Sequence, residues 1–117
     1  MRECRDHIAI TLPAQVEWQT YQRELEACAR GGVLRFRVAQ LPNKRVIGCR
    51  CYLVWKSLVR GWMEITNLVD TGFTCEVTGK YWSGKFIERG GQFHTLRNPV
   101  AMRGFQGFKY VQRVEND

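Results

Sequence analysis

Cys51-Tyr52-Leu53-Val54-Trp55-Lys56-Ser57-Leu58-Val59-Arg60-Gly61-Trp62-Met63-Glu64-Ile65 is the stretch that sets the architecture of this chain. Two runs rich in β-branched and aromatic residues, Cys51–Trp55 and Val59–Ile65, flank the short break Lys56-Ser57-Leu58, which is the signature of a hairpin. In the second run Val59, Gly61, Met63 and Ile65 fall on one face and Arg60, Trp62 and Glu64 on the other. One face goes to a core; the other offers a ring flanked by charges. Gly61, between Arg60 and Trp62, leaves room for close backbone approach.

Upstream, His7–Leu12 alternates as an opening strand with Ile8, Ile10 and Leu12 on one side. Pro13 ends it. From about Gln15 to Arg30, Trp18, Tyr21, Leu25 and Cys28 are spaced three, four and three, which predicts one apolar helical face packed on a sheet. Gly31-Gly32 stops that helix. Val33–Val38 reads as a strand with Val33, Arg35 and Arg37 on one face and Leu34, Phe36 and Val38 on the other. A loop with Pro42-Asn43-Lys44-Arg45 leads into the hairpin.

Downstream, Asn67–Gly72 reads as a connection. Phe73–Thr78 alternates, placing Phe73, Cys75 and Val77 inside. Phe86–Arg89 is a short strand, Gly90-Gly91 a break, and Phe93–Leu96 a further strand ended by Asn98-Pro99. Phe108–Val114 is a closing strand. No repeat or linker divides the chain, so residues 1–117 form one domain. One helix and six or seven short strands with glycine-rich turns predict an α+β fold: a small mixed, mostly antiparallel β-barrel with one N-terminal amphipathic helix packed on it. Closure of the barrel removes exposed sheet edges.

The bulk properties narrow the class. A chain of 117 residues buries roughly two thirds of its unfolded surface, enough for a core without disulfides or a structural metal. No apolar run approaches the roughly 20 residues that cross a bilayer, and the charged opening Met1-Arg2-Glu3-Cys4-Arg5-Asp6-His7 has no signal-peptide core. The expectation is a cytoplasmic protein without membrane contact. The odd set Cys4, Cys28, Cys49, Cys51 and Cys75 is neither a disulfide framework nor a zinc spacing, so no metal and no cofactor are expected. The net charge of +7 is uneven. Through Arg30, acids slightly outnumber bases, whereas Lys80, Lys85, Arg89, Arg97, Arg103, Lys109 and Arg113 face the single acid Glu88 between positions 80 and 113. That asymmetry suits an anionic partner, nucleic acid first.

Three clusters carry candidate contacts: Arg60-Gly61-Trp62; Lys80-Tyr81-Trp82-Ser83-Gly84-Lys85-Phe86-Ile87-Glu88-Arg89; and Met102-Arg103-Gly104-Phe105-Gln106-Gly107-Phe108-Lys109-Tyr110. Flat rings stack on bases for about 1–3 kcal/mol each, and interleaved cations neutralise phosphates. The expected nucleic-acid surface is therefore Arg60, Trp62, Lys80, Trp82, Lys85, Arg89, Arg103, Gln106 and Lys109, with Gln106 placed to read a base edge. The competing reading makes the same rings core and the glycines barrel corners. His7 and His94 are the only neutral-pH bases, and neither a nucleophile elbow nor a phosphate-cradling loop is present.

The order of helix, strand, then Gly48-Cys49-Arg50-Cys51-Tyr52-Leu53-Val54-Trp55 followed by Val59-Arg60-Gly61-Trp62-Met63-Glu64-Ile65 resembles the PUA-like superfamily of PUA, ASCH and EVE domains. That resemblance implies a pseudo-barrel and a role in binding RNA or modified bases in DNA; some ASCH proteins resemble nucleoside amidohydrolases. The ASCH motif Gly-x-Lys-x-x-Glu-x-Arg has its nearest counterpart in Gly84-Lys85-Phe86-Ile87-Glu88-Arg89, with different spacing and late in the chain. No catalytic residue is carried over.

The functional expectation is a small basic module that binds RNA or DNA, or a nucleobase or nucleotide within it, without chemistry. One alternative is a small hydrolase or transferase on a nucleoside-like substrate, using Glu88 with Lys85 or Arg89. The other is an accessory protein, from a mobile element, whose exposed rings meet another protein or its own copy as a homodimer.

Overall fold

The structure, a computed structural model, describes residues 6–114. Lys56 and Ser57 both take left-handed backbone, φ 50° and 61°, and Trp55 pairs with Leu58. This two-residue turn, whose twist suits the flanking strands, joins β3 (Arg50–Trp55) to β4 (Leu58–Val69). The other elements are β1 (His7–Thr11), α1 (Trp18–Ala29), β2 (Val33–Val38), β5 (Phe73–Thr74), β6 (Tyr81–Trp82), β7 (Lys85–Ala101) and β8 (Phe108–Val111). Six strands form one sheet in the order β2-β7-β4-β3-β1-β8, while β5 and β6 pair separately as a hairpin. β1 runs parallel to β3 and every other pairing is antiparallel.

Val38 at the end of β2 and Phe108 at the start of β8 line one cleft, although they belong to opposite edges of the sheet. The sheet therefore curls into a half-barrel. β2 and β8 do not pair with each other, so closure stops short of the complete barrel expected, and a seam remains between them. The inner face buries Ile8, Ile10, Leu53, Met63, Ile65 and Ile87 under the stripe Tyr21, Leu25 and Cys28 of α1. The outer face carries a second, smaller core of Ala9, Tyr52, Val54, Val59 and Leu96, over which Met102, Phe105, Val111 and Val114 fold.

Local rules explain where elements start and stop. The helix begins later than its apolar spacing predicts, because Val16 donates to the Pro13 carbonyl and closes a separate turn first. β7 runs through both expected breaks. Gly90 keeps its pairing to Val33 and Glu64, and residues 96–99 bulge opposite Arg60, so Pro99 removes no ladder bond. At Gly61 the vacant side-chain position is filled by a neighbour: a Cβ there would overlap the His94 carbonyl oxygen and lie 2.5 Å from Phe93 Cζ. Bulges at Arg60 and beyond Leu53 shift the register. Val59 consequently joins the outer core while Met63 and Ile65 keep to the inner one. The strand expected over Phe73–Thr78 stops at Thr74. Gly79 donates to the Cys75 carbonyl and Cys75 to that of Lys80, so a turn replaces it and Val77, expected inside, is 93% exposed.

Candidate nucleic-acid interface

Alternation along β2 sends Arg35 and Arg37 outward and Leu34, Phe36 and Val38 inward. The β5–β6 hairpin lies beside this outer side. Arg35 sits over the Phe73 ring at 3.9 Å and its Nε donates to Glu88 Oε2 at 2.8 Å. Phe73 meets Phe86 of β7 edge to face, centroids 4.9 Å apart, and the Tyr81 hydroxyl donates to the Thr71 carbonyl; these contacts fix the hairpin to the sheet. On the exposed strand of the hairpin, Lys80 Nζ lies 4.5 Å above the Trp82 ring, and Tyr81 and Trp82 are 58% and 44% exposed.

Arg37 lies against Gly84, where a Cβ would come 2.9 Å from its Nε. Arg37, Val38, Ala39, Gly84 and Lys85 line one open cleft. Val38 and Ala39 also line the seam cleft, together with Gln40, Gln106, Gly107 and Phe108. The two clefts share Val38 and Ala39 as a common wall, and Lys109 next to Phe108 places its Nζ 5.0 Å from the Phe105 ring. Arg37, Lys80 and Lys85 have no carboxylate partner among the described residues. An exposed ring under a cation, unpaired cations and an amide along one path match the needs of a single strand: bases to stack, phosphates to neutralise, edges to read.

The nine residues singled out in the sequence fall in different places. Lys80, Trp82 and Lys85 belong to the hairpin end of this path, and Gln106 and Lys109 to the seam. Arg103 is exposed on the tail between β7 and β8. Arg60 lies at the far end of β4, donating to the Trp55 carbonyl at 3.2 Å with its guanidinium 5.0 Å from the Trp55 ring. Trp62 has the Arg50 guanidinium on one side at 4.0 Å and the His94 ring stacked on it at 4.0 Å and 15°, so its faces are already taken. Arg89, expected on the surface, is 4% exposed, because the period of β7 puts it beside Ile87 on the inner face. Trp62, Trp82 and Gln106 do not surround one concavity: Trp62 lines a separate pocket with Glu64, Gly91 and His94.

Arg35 and Arg37 join the path without having been chosen from the sequence, and Tyr81 joins it from the second candidate cluster although it is not among the nine. The solvent-facing alternation of Val33–Val38 was the available signal for both arginines. Lys85, Glu88 and Arg89, the residues of the hydrolytic alternative, do not converge. Lys85 lines the cleft, Glu88 pairs outward with Arg35, and Arg89 points inward. Among the described residues no group of three or more His, Cys, Asp or Glu is arranged to hold a metal ion. Burial pushes the Cys51 thiol up to about 11, with the nearby Arg89 charge opposing, and raises Cys28 likewise. Cys75, on the hairpin, is lowered by hydrogen bonds from the Thr78 hydroxyl and the Thr78 and Val77 amides. Cys4 lies outside the described residues. No described helix is long and apolar enough to cross a membrane.

The crystal structure of a ZmASCH mutant protein from Zymomonas mobilis superposes on this chain with a TM-score of 0.53, covering 94% of this chain and 91% of that one. The chain shares that protein's fold, in line with the PUA-like pseudo-barrel expected from the sequence. The two sequences are 16% identical, so the likeness establishes architecture and nothing finer. No family model and no curated protein matches the sequence.

Proposed function

We propose that this chain is a binding module for single-stranded nucleic acid, RNA or DNA, which it holds along the path from the β5–β6 hairpin to the seam. The observation that carries the reading is Trp82, exposed under Lys80 on the segment that runs on through Gly84 and Lys85 into the cleft lined by the unpaired Arg37. Trp82 and Tyr81 stack bases, Arg37, Lys80, Lys85 and Lys109 neutralise phosphates, and Gln106 meets a base edge in the seam. The ASCH-type neighbour supports the reading through its fold alone.

Anisotropy titration of short labelled RNA and DNA strands tests it. Each phosphate neutralised on a single strand contributes a slope of about −0.7 in log K against log salt, so four contacts predict about −3. Affinity then falls roughly fifty-fold between about 50 and 200 mM salt. The Arg37→Glu, Lys85→Glu double variant flattens that slope. Weak association that ignores both salt and charge reversal defeats the proposal.

Val77, Tyr81 and Trp82 exposed together on one hairpin also favour a second reading, contact with another copy of the chain. Sedimentation velocity separates the two: a dimer that dissociates on Val77→Ser supports self-association, and a monomer at all concentrations removes it.

A further inference from the structure

β7 is locally longer than the strand it pairs with. Trp62 stands opposite His94 and Glu64 opposite Gly90, so Met63 alone faces the three residues Gly91, Gln92 and Phe93. Extra residues on one strand bend it and re-aim its side chains, and such bulges gather beside functional sites. Here Phe93 turns to the inner core while Gln92 and His94 stay exposed. Gly90 and Gly91 leave space beside them: a Cβ at Gly91 would meet nothing within 4 Å, and one at Gly90 would stand 3.2 Å from Thr66 Cγ2. The result is a pocket of about 210 Å³ between β4 and β7, with Glu64, Thr66, Gln92 and His94 around it and Trp62 in its wall.

That wall is fixed by stacking. The Arg50 guanidinium and the His94 ring each lie 4.0 Å from the Trp62 ring. The Trp62 indole N–H is sealed from solvent and takes no part in what the pocket could hold. No lysine or arginine lines the pocket, and Glu64 is its one carboxylate. Glu64 is exposed and forms no ion pair among the described residues. Arg50, its cross-strand neighbour on β3, lies over Trp62 and not in the pocket. A phosphate here would meet only a like charge, which separates this pocket from the nucleic-acid path.

We infer that the bulge pocket binds an alkylguanidinium, either a free small molecule or the arginine side chain of a peptide, with Glu64 as its counter-ion. The volume lies below the roughly 300 Å³ at which pockets for drug-sized ligands begin, so it suits a head group and not a large body. A carboxylate accepts two parallel N–H bonds from a guanidinium fork, which a compact ammonium does not present. The Thr66 hydroxyl donates to the Glu88 carbonyl and keeps lone pairs to accept from the ligand, as does the Gln92 amide oxygen. At Gly90 and Gly91 the lining is bare backbone, where a flat cation approaches without meeting a side chain. The site does not depend on the nucleic-acid reading.

The test titrates the ¹⁵N-labelled full chain with butylguanidinium, butylammonium, guanosine and a capped Gly-Arg-Gly peptide at matched ionic strength, following the Gly91 and Gln92 amide resonances. Butylguanidinium gives saturable shifts and binds roughly tenfold tighter than butylammonium, which lacks the fork, and guanosine, which lacks the charge. Glu64→Gln weakens that binding by roughly tenfold while circular dichroism stays native. Tighter binding of the peptide than of butylguanidinium names a protein arginine as the source; otherwise the source is the free cation. Should Glu64→Gln not fold, the wild-type series decide. Absence of saturable shifts with butylguanidinium, binding of butylammonium or guanosine as tight as that of butylguanidinium, or full affinity in a folded Glu64→Gln variant overturns the proposal.

Discussion

Gly61→Ala is the perturbation whose effect the structure fixes most closely. The added methyl would overlap the carbonyl oxygen of His94 and lie 2.5 and 2.6 Å from Cζ and Cε2 of Phe93. The ring could turn aside, but it is packed against the inner core, with the Trp18 ring 6.1 Å away edge to face. The carbonyl belongs to the β4–β7 ladder, where Gly61 pairs with Thr95 and Trp62 with His94. Relief therefore means parting the central strand pair. Overpacking typically costs about 1–3 kcal/mol; a backbone obstruction places this case at or above roughly 3 kcal/mol. Gly91→Ala is the control. It has φ +79° with nothing within 4 Å of a Cβ, so only the left-handed backbone penalty of about 1–2 kcal/mol applies. Urea unfolding of both variants and the wild type, at unchanged m-value, gives the comparison. A Gly61→Ala loss below about 1 kcal/mol, or smaller than that of Gly91→Ala, refutes the packing argument.

Trp82→Ala loses about 1–3 kcal/mol of single-strand binding, roughly 5- to 150-fold, while thermal stability stays within about 0.5 kcal/mol, because the ring is 44% exposed. Trp62→Ala does the reverse: with its rings and guanidinium unstacked, stability falls by about 2–3 kcal/mol in thermal denaturation and strand affinity holds. Thiol titration with an aromatic disulfide in a Cys4→Ser background labels Cys75 first. Its depressed pKa means the thiolate fraction, and hence the rate, rises with pH and half-saturates below the ordinary cysteine value. Cys51, pushed up to about 11 and sealed, stays unlabelled at neutral pH until the chain unfolds.

The sequence made most of the scaffold legible because its strands and helix obey a simple period. Trp18, Tyr21, Leu25 and Cys28 marked the helix, β2 followed its alternation, and β3 and β4 formed the expected hairpin. Register breaks were hidden: nothing in Val59-Arg60-Gly61 announces that a bulge moves Val59 to the other core. Phe73–Thr78 alternates convincingly, yet two backbone hydrogen bonds make it a turn. The candidate site was half readable. Lys80, Trp82 and Lys85 lie in one sequence segment and Gln106 and Lys109 in another, and Lys85 and Gln106 line two clefts that share Val38 and Ala39. Composition could not show that Arg89 turns inward or that Arg50 and His94 cover Trp62, because those outcomes depend on strand partners far away in the chain.

Amide chemical-shift mapping with a short single-stranded RNA puts the central claim to its plainest test. The account predicts that the largest shifts trace Arg35–Arg37, Lys80–Lys85 and Gln106–Lys109, and that the Trp82 indole N–H moves while the Trp62 indole N–H does not. Shifts centred on Arg60 or on the exposed side of α1, with the hairpin and seam silent, would contradict it.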